Sequence, residues 1–156
     1  MNLTIAVEDP RTADVVALLE QHLALMRATS PPGHVHALDV DRLVDPAITF
    51  LAARRATDGV LLGVGALKLL DASHAEIKSM HTAAEARGLG VGRAVLERLL
   101  ALARERGCSR VSLETGTMDA FAPARSLYAA TGFVTCEPFG DYTVNPYSTC
   151  MTLTLR

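Results

Sequence analysis

The chain has 156 residues, enough for one domain with a sizeable core. Its 49% hydrophobic and 21% charged residues are the balance of a folded globular protein and exclude a disordered one. A net charge of −2 offers no basic excess to a nucleic acid.

Residues 2–8 read as a first strand, and the N-terminus lacks the basic-then-apolar pattern of a signal peptide, so a cytoplasmic location is expected. Asp9 and Pro10 fit an N-cap and first helical position, ahead of Val15, Leu18, Leu19, His22, Leu23 and Met26 at helical spacing. Residues 29–34, with Pro31, Pro32 and Gly33, read as a loop. A short second helix is expected over 39–44, stopped by Pro46. Residues 48–55 read as a strand, Thr57-Asp58-Gly59 as a tight turn and 60–70 as the return strand. That apolar run is too short, and too interrupted by Gly63, Gly65 and Lys68, to span a bilayer.

A second turn at 71–74 leads into a strand over 76–82. The helix over 91–106 carries Val91, Val95, Leu99 and Leu102 on one face, and Gly107 ends it. A strand at 111–114, a helix at 122–130 and strands at 133–136 and 149–155 complete the chain. Cys108, Cys136 and Cys150 are odd in number and without a CxxC pair, which predicts buried free thiols. Nothing divides residues 1–156, so one α+β domain is expected, with a parallel strand–helix–strand unit at its centre.

That unit contains the turn Arg87-Gly88-Leu89-Gly90-Val91-Gly92-Arg93. Glycines entering a helix expose unpaired N–H groups at its positive end, which suits a phosphate. A Walker loop needs GxxxxGK and Ser or Thr, and none is present. A dinucleotide turn would find its acid at Glu114, about twenty residues on. Its third small residue, however, would fall on Arg93 or Val95, both too bulky for close packing. The remaining pattern is RxxGxG, matched by Arg87, Gly90 and Gly92.

This pattern resembles the acetyl-CoA signature of the GNAT N-acetyltransferase superfamily, and Leu127-Tyr128-Ala129-Ala130-Thr131-Gly132-Phe133 resembles that family's LYxxxGF segment. Further segments, among them Glu76-Ile77-Lys78-Ser79-Met80, look like a subgroup of small bacterial acetyltransferases. The resemblance implies a GNAT fold: a mixed sheet of about six to seven strands, a central parallel β-α-β unit and flanking helices. It implies acetyl-CoA as co-substrate, bound by the turn Arg87, Gly88, Leu89, Gly90, Val91, Gly92 and Arg93 and by the backbone of Met80, His81 and Thr82. The backbone edge would pair with the pantetheine amides as another strand would. Phe121 stands where many relatives have an asparagine, a departure that removes a polar contact.

Acetyl transfer needs a free amine, stabilisation of an oxyanion and a proton for the departing thiolate. Tyr128, in the family segment, is the expected proton donor. Glu76 precedes Arg87 by the separation of the catalytic carboxylate in histone-type relatives, and its alternative is a surface pair with a lysine. Alternation would place it, Lys78 and Met80 on one face. Glu114 is a second base or a contact for the substrate ammonium. Water chains could also take the amine proton. His34 and His36 fall in the region that covers the acceptor in relatives, and Lys78 is a further acceptor contact. His81, beside the expected acetyl site, is either a proton shuttle or simple packing. The five histidines show no metal-binding spacing, so no metal is expected.

The expected reaction is direct attack by a small amine in a ternary complex. Lys78 with Arg54 or Arg55, set against Glu76 and Glu114, suits an amino acid-like zwitterion. Transfer to a protein or peptide N-terminus, and a non-catalytic acyl-CoA sensor, remain as alternatives. Neither nucleic acid nor membrane is an expected partner. A homodimer paired through the terminal strand follows from the resemblance alone.

Overall fold

The computed structural model describes residues 2–29 and 40–156. Its strands are β1 (Leu3–Val7), β2 (Ile48–Arg55), β3 (Leu61–Leu69), β4 (His74–Thr82), β5 (Arg110–Gly116), β6 (Val134–Cys136) and β7 (Ser148–Thr154). The helices among the described residues are α1 (Ala13–Thr29), α2 (Val91–Glu105) and α3 (Ala122–Thr131). One seven-stranded sheet runs in the order β1-β2-β3-β4-β5-β7-β6. Among these strands only β4 and β5 pair in parallel, joined through α2 as a parallel pair requires.

Helix α2 buries Val91, Val95, Leu96, Leu99 and Leu100. It lies close on β3 because β3 carries glycines beneath it. A Cβ on Gly63 would come within 2.8 Å of Val91 Cγ1, and one on Gly65 within 2.7 Å of both Val95 Cγ1 and Met80 Sδ. The close helix–strand approach that a dinucleotide turn achieves with a helix glycine is thus achieved here from the strand. Gly65→Ala should overpack this layer by about 1–3 kcal/mol. Thermal unfolding should show a melting point lower by several degrees, on the order of 2–4 °C per kcal/mol for a chain of this size.

Three expectations need correction. Helix α1 begins only at Ala13, because the Asp9 carboxylate is taken up by Arg11, whose backbone N–H donates to it at 2.9 Å and whose guanidinium donates at 2.8 Å. The helix expected over 39–44 is a single 3-10 turn at Arg42–Val44, with Asp39 outside the described residues. The terminal strand β7 is not the outermost strand: it lies between β5 and β6, and its residues 150–152 pair with β6. The three cysteines are free, Cys108 and Cys150 buried and Cys136 partly so. No described helix is long and apolar enough to cross a membrane.

Candidate active site

Strands β4 and β5 pair only as far as Ile77 and Leu113. Both then run on, β4 to Thr82 and β5 to Gly116, and their facing edges part. A cleft of about 800 Å³ opens between them. Residues 78–82 and 114–116 line it, with the glycine turn at one end and Leu127 and Tyr128 of α3 alongside.

The turn has the backbone that an anion site needs. Gly88 and Gly90 have φ of 77° and 87°, with open space where a side chain would stand. No side chain caps α2, and its first helical bond runs from the Ala94 N–H to the Gly90 carbonyl at 3.1 Å. The N–H groups of Val91, Gly92 and Arg93 therefore precede the helical ladder, facing the site at the positive end of the dipole. Arg87 and Arg93 line the cleft here, whereas the Leu89 side chain is 55% exposed and lies outside it.

A bulge shapes the wall on β4. Gly63 pairs with Thr82 and Val64 with His81, but Ala66 pairs with Lys78, so Ser79 and Met80 together oppose Gly65. Ser79 takes the left-handed backbone conformation, φ 57°, and its buried hydroxyl has no hydrogen-bond partner among the described residues. The extra residue inverts the alternation beyond it. Met80 therefore points toward Val95 of α2 and not, as alternation predicts, to the face of Glu76 and Lys78. His81 takes that face instead.

On that face Glu76 is buried, and its Oε2 accepts from Lys78 Nζ at 3.0 Å and from the Tyr142 hydroxyl at 2.5 Å. Lys78 Nζ also donates to Tyr142 Oη at 2.7 Å. Burial, and then the Glu76 charge, push the Tyr142 phenol well up, so it stays protonated. The lysine pair weighed for Glu76 exists, but it is buried and not on the surface. Across the cleft Glu114 accepts from Ser148 Oγ at 3.0 Å.

Tyr128 is 5% exposed and tilted against Phe133 at 5.8 Å between ring centres. Its hydroxyl has no protein partner among the described residues, and burial raises its pKa. The ring of Phe121 covers Gly116, where a Cβ would come within 2.3 Å of it. His22 of α1 meets His81 with their Nδ1 atoms 3.2 Å apart. Burial first, and then neighbouring positive charge, holds both rings down at about 4.

Arg54 and Arg55 do not reach the cleft. Arg54 is held by Glu8 and Asp14 at 2.8 and 2.6 Å, and Arg55 by Asp58 at 2.8 Å. Among the described residues, Lys78 is thus the cation at the Glu76 end of the cleft, without the arginines that a zwitterion site was expected to have. His34 and His36 lie outside the described residues.

The family description "Acetyltransferase (GNAT) family" matches residues 16–133. The chain belongs to the GNAT acetyltransferases. It is 46% identical over 148 residues to the uncharacterized N-acetyltransferase YsnE of Bacillus subtilis, covering 95% of this chain and 97% of that one. It is 38% identical over 151 residues to the IAA acetyltransferase of Azospirillum brasilense, covering 96% of each. Among solved structures, a Klebsiella pneumoniae protein described as an acyl-CoA N-acyltransferase superposes with a TM-score of 0.79 at 28% identity, over 99% and 98% of the two chains. A GNAT acetyltransferase from Elizabethkingia anophelis, solved with acetyl-CoA bound, has the same fold at a TM-score of 0.70 and 18% identity, over 99% of each chain.

Within this GNAT domain the cleft contains side chains that sequence reasoning did not assign to it, among them Tyr142, Ser79 and His22. Tyr142 comes from the aperiodic stretch between β6 and β7, and its only signal was a nearby aromatic, Phe139, now packed edge-on at 5.1 Å. Ser79 enters through a bulge that no residue type announces. His22 sat in an apolar helical stripe, yet the far half of α1, with Leu25 and Met26, lines the cleft.

Proposed function

We propose that this GNAT enzyme moves the acetyl group of acetyl-CoA to the amine of a small molecule, by direct attack in a ternary complex. The parting of β4 and β5 beyond Ile77 and Leu113 carries the reading, because it leaves two unpaired backbone edges leading from the glycine turn to the Glu76 end. The turn would hold the CoA pyrophosphate through its N–H groups, with Arg87 and Arg93 adding charge. The edge at Met80, His81 and Thr82 would bond the pantetheine amides. Tyr128 would donate a hydrogen bond to the departing thiolate.

At the acceptor end Glu76 and Glu114 outnumber Lys78, which favours an acceptor arriving as an ammonium. The two carboxylates would hold and orient it, and Lys78 would meet an acidic group if the acceptor carries one. A cytoplasmic setting, with no nucleic-acid, membrane or metal partner, goes with this reading.

The test is CoA release with a panel of free amino acids, di- and polyamines, peptide N-termini and IAA, the last taken from the name of the Azospirillum relative. Turnover with a small amine is the expected result. Turnover with peptides alone would overturn it in favour of protein acetylation. Tight acetyl-CoA binding without turnover on any acceptor would favour the sensor.

A further inference from the structure

We propose that His81 and His22 form a two-ring proton wire that carries the acceptor's proton out of the cleft, a role that rests on the acetyl-transfer reading above. The observation is the 3.2 Å contact between their Nδ1 atoms, made by rings that both line the cleft. Two neutral imidazoles can share such a bond in one way only: one ring donates its Nδ1–H and the other accepts on a bare Nδ1. The first ring then has a bare Nε2, and the second carries its proton on Nε2. The pair therefore presents a proton acceptor at one end and a proton donor at the other.

His81 is the ring on the acceptor wall. The bulge at Ser79 and Met80 turns it to the face of Glu76 and Lys78, and α1 brings His22 against it. Before the attack, one N–H bond of the bound ammonium breaks and its proton joins His81 Nε2, which leaves the free amine. The proton the amine sheds after attack goes with the departing thiol. The His81 Nδ1 proton crosses to His22 Nδ1, and the His22 Nε2 proton leaves to water. One proton enters and one leaves, and neither ring carries a net charge before or after. Proton exchange with water at the two Nε2 atoms, with the central proton moving back, restores the starting tautomers.

The surroundings suit passage and not storage. Among the described residues, the other charged and titratable groups lining the same cleft are Glu76 and Lys78 on β4, Glu114 on β5, Tyr128 on α3, Tyr142 beyond β6, and Arg87 and Arg93 at the turn. Burial and then Arg87 oppose a positive charge on His81, burial and then His81 oppose one on His22, and β3 places apolar Val64 opposite His81. With both rings near 4, a proton held on either is unstable at neutral pH, so a lone base here would be weak. Handing the proton on avoids that state. His22 acts only through His81 and is a positioning residue for the transfer.

The test uses His22→Asn, whose amide can keep the bond to His81 Nδ1 but cannot pass a proton, with His81→Asn and the double variant beside it. On the best small-amine acceptor of the panel, each single variant should lose about tenfold to 10²-fold in kcat. Acceptor KM should hardly move. The kcat profile should change from flat between pH 6 and 9 to rising with pH, because the variant depends on amine already free in solution. The double variant should be no worse than the singles, and an acceptor unprotonated at the assay pH should react at the wild-type rate with all of them. An unchanged profile for His22→Asn, equal losses on every acceptor, or additive losses would overturn the wire. A long-range ¹H–¹⁵N spectrum of the unmodified protein tests the pair independently of any acceptor. One ring protonated on Nδ1 and one on Nε2 supports the wire, and two Nε2–H rings refute it. If wild type turns over no acceptor, the acetyl-transfer reading fails by itself, and the spectrum still reports which tautomers the two rings hold.

Discussion

Tyr128→Phe should lower kcat by about 10²-fold while acetyl-CoA binds as before, the lower end of the range for a positioned proton donor. The hydroxyl has no protein partner among the described residues, and the ring is held by burial and by Phe133. Phenylalanine should therefore fill the same space at little cost in stability. Burial raises the phenol above its ordinary value, whereas a thiol sits near 8.5. Complete transfer of the proton to the thiolate is uphill, so the hydroxyl is worth a hydrogen bond to the developing charge and not a full protonation. Rapid-quench kinetics would give kcat, and calorimetric titration the acetyl-CoA affinity. Unchanged kcat would remove Tyr128 from the mechanism. Lost acetyl-CoA binding would make it a wall of the donor site instead.

The order of strands and helices was legible because periodicity and glycine punctuation are local properties. Gly107 and Gly132 follow α2 and α3 where expected, and the LYxxxGF segment spans the end of α3, with Leu127 and Tyr128 at the cleft. What failed depends on single extra residues or on long side chains. One bulge residue, Ser79, reversed the facing of Met80 and His81, and alternation cannot register such an insertion. Arg54 and Arg55 were expected at the cleft, but Glu8 and Asp14 claim Arg54 from another part of the chain and Asp58, three residues on, claims Arg55. Tyr142 could not be placed, because the stretch between β6 and β7 has no period to say which way it folds back. Sequence thus made the glycine-turn half of the cleft, built from a turn and a helix start and proposed to take the donor, more legible than the proposed acceptor half, which is assembled from distant side chains.

Glu76→Gln tests that acceptor half, and its largest effect should be on stability. Glu76 and Lys78 expose 5% and 8% of their side chains, and both bonds from Lys78 and Tyr142 fall on Glu76 Oε2. Neutralising the carboxylate leaves a buried ammonium facing an uncharged amide and a phenol. Breaking such a pair from one side costs about 3–5 kcal/mol, and the melting point should fall on the order of 10 °C. Activity lost in that variant would say nothing about a base. Glu76→Gln with Lys78→Met removes both charges together, and most of the stability should return, because a buried pair is worth little more than a matched apolar one. In that stable double variant the two roles separate. If Glu76 holds the ammonium and the proton leaves through the histidines, acceptor KM rises while kcat stays within about tenfold. If Glu76 takes the proton itself, kcat collapses in a protein that still melts near the wild-type temperature.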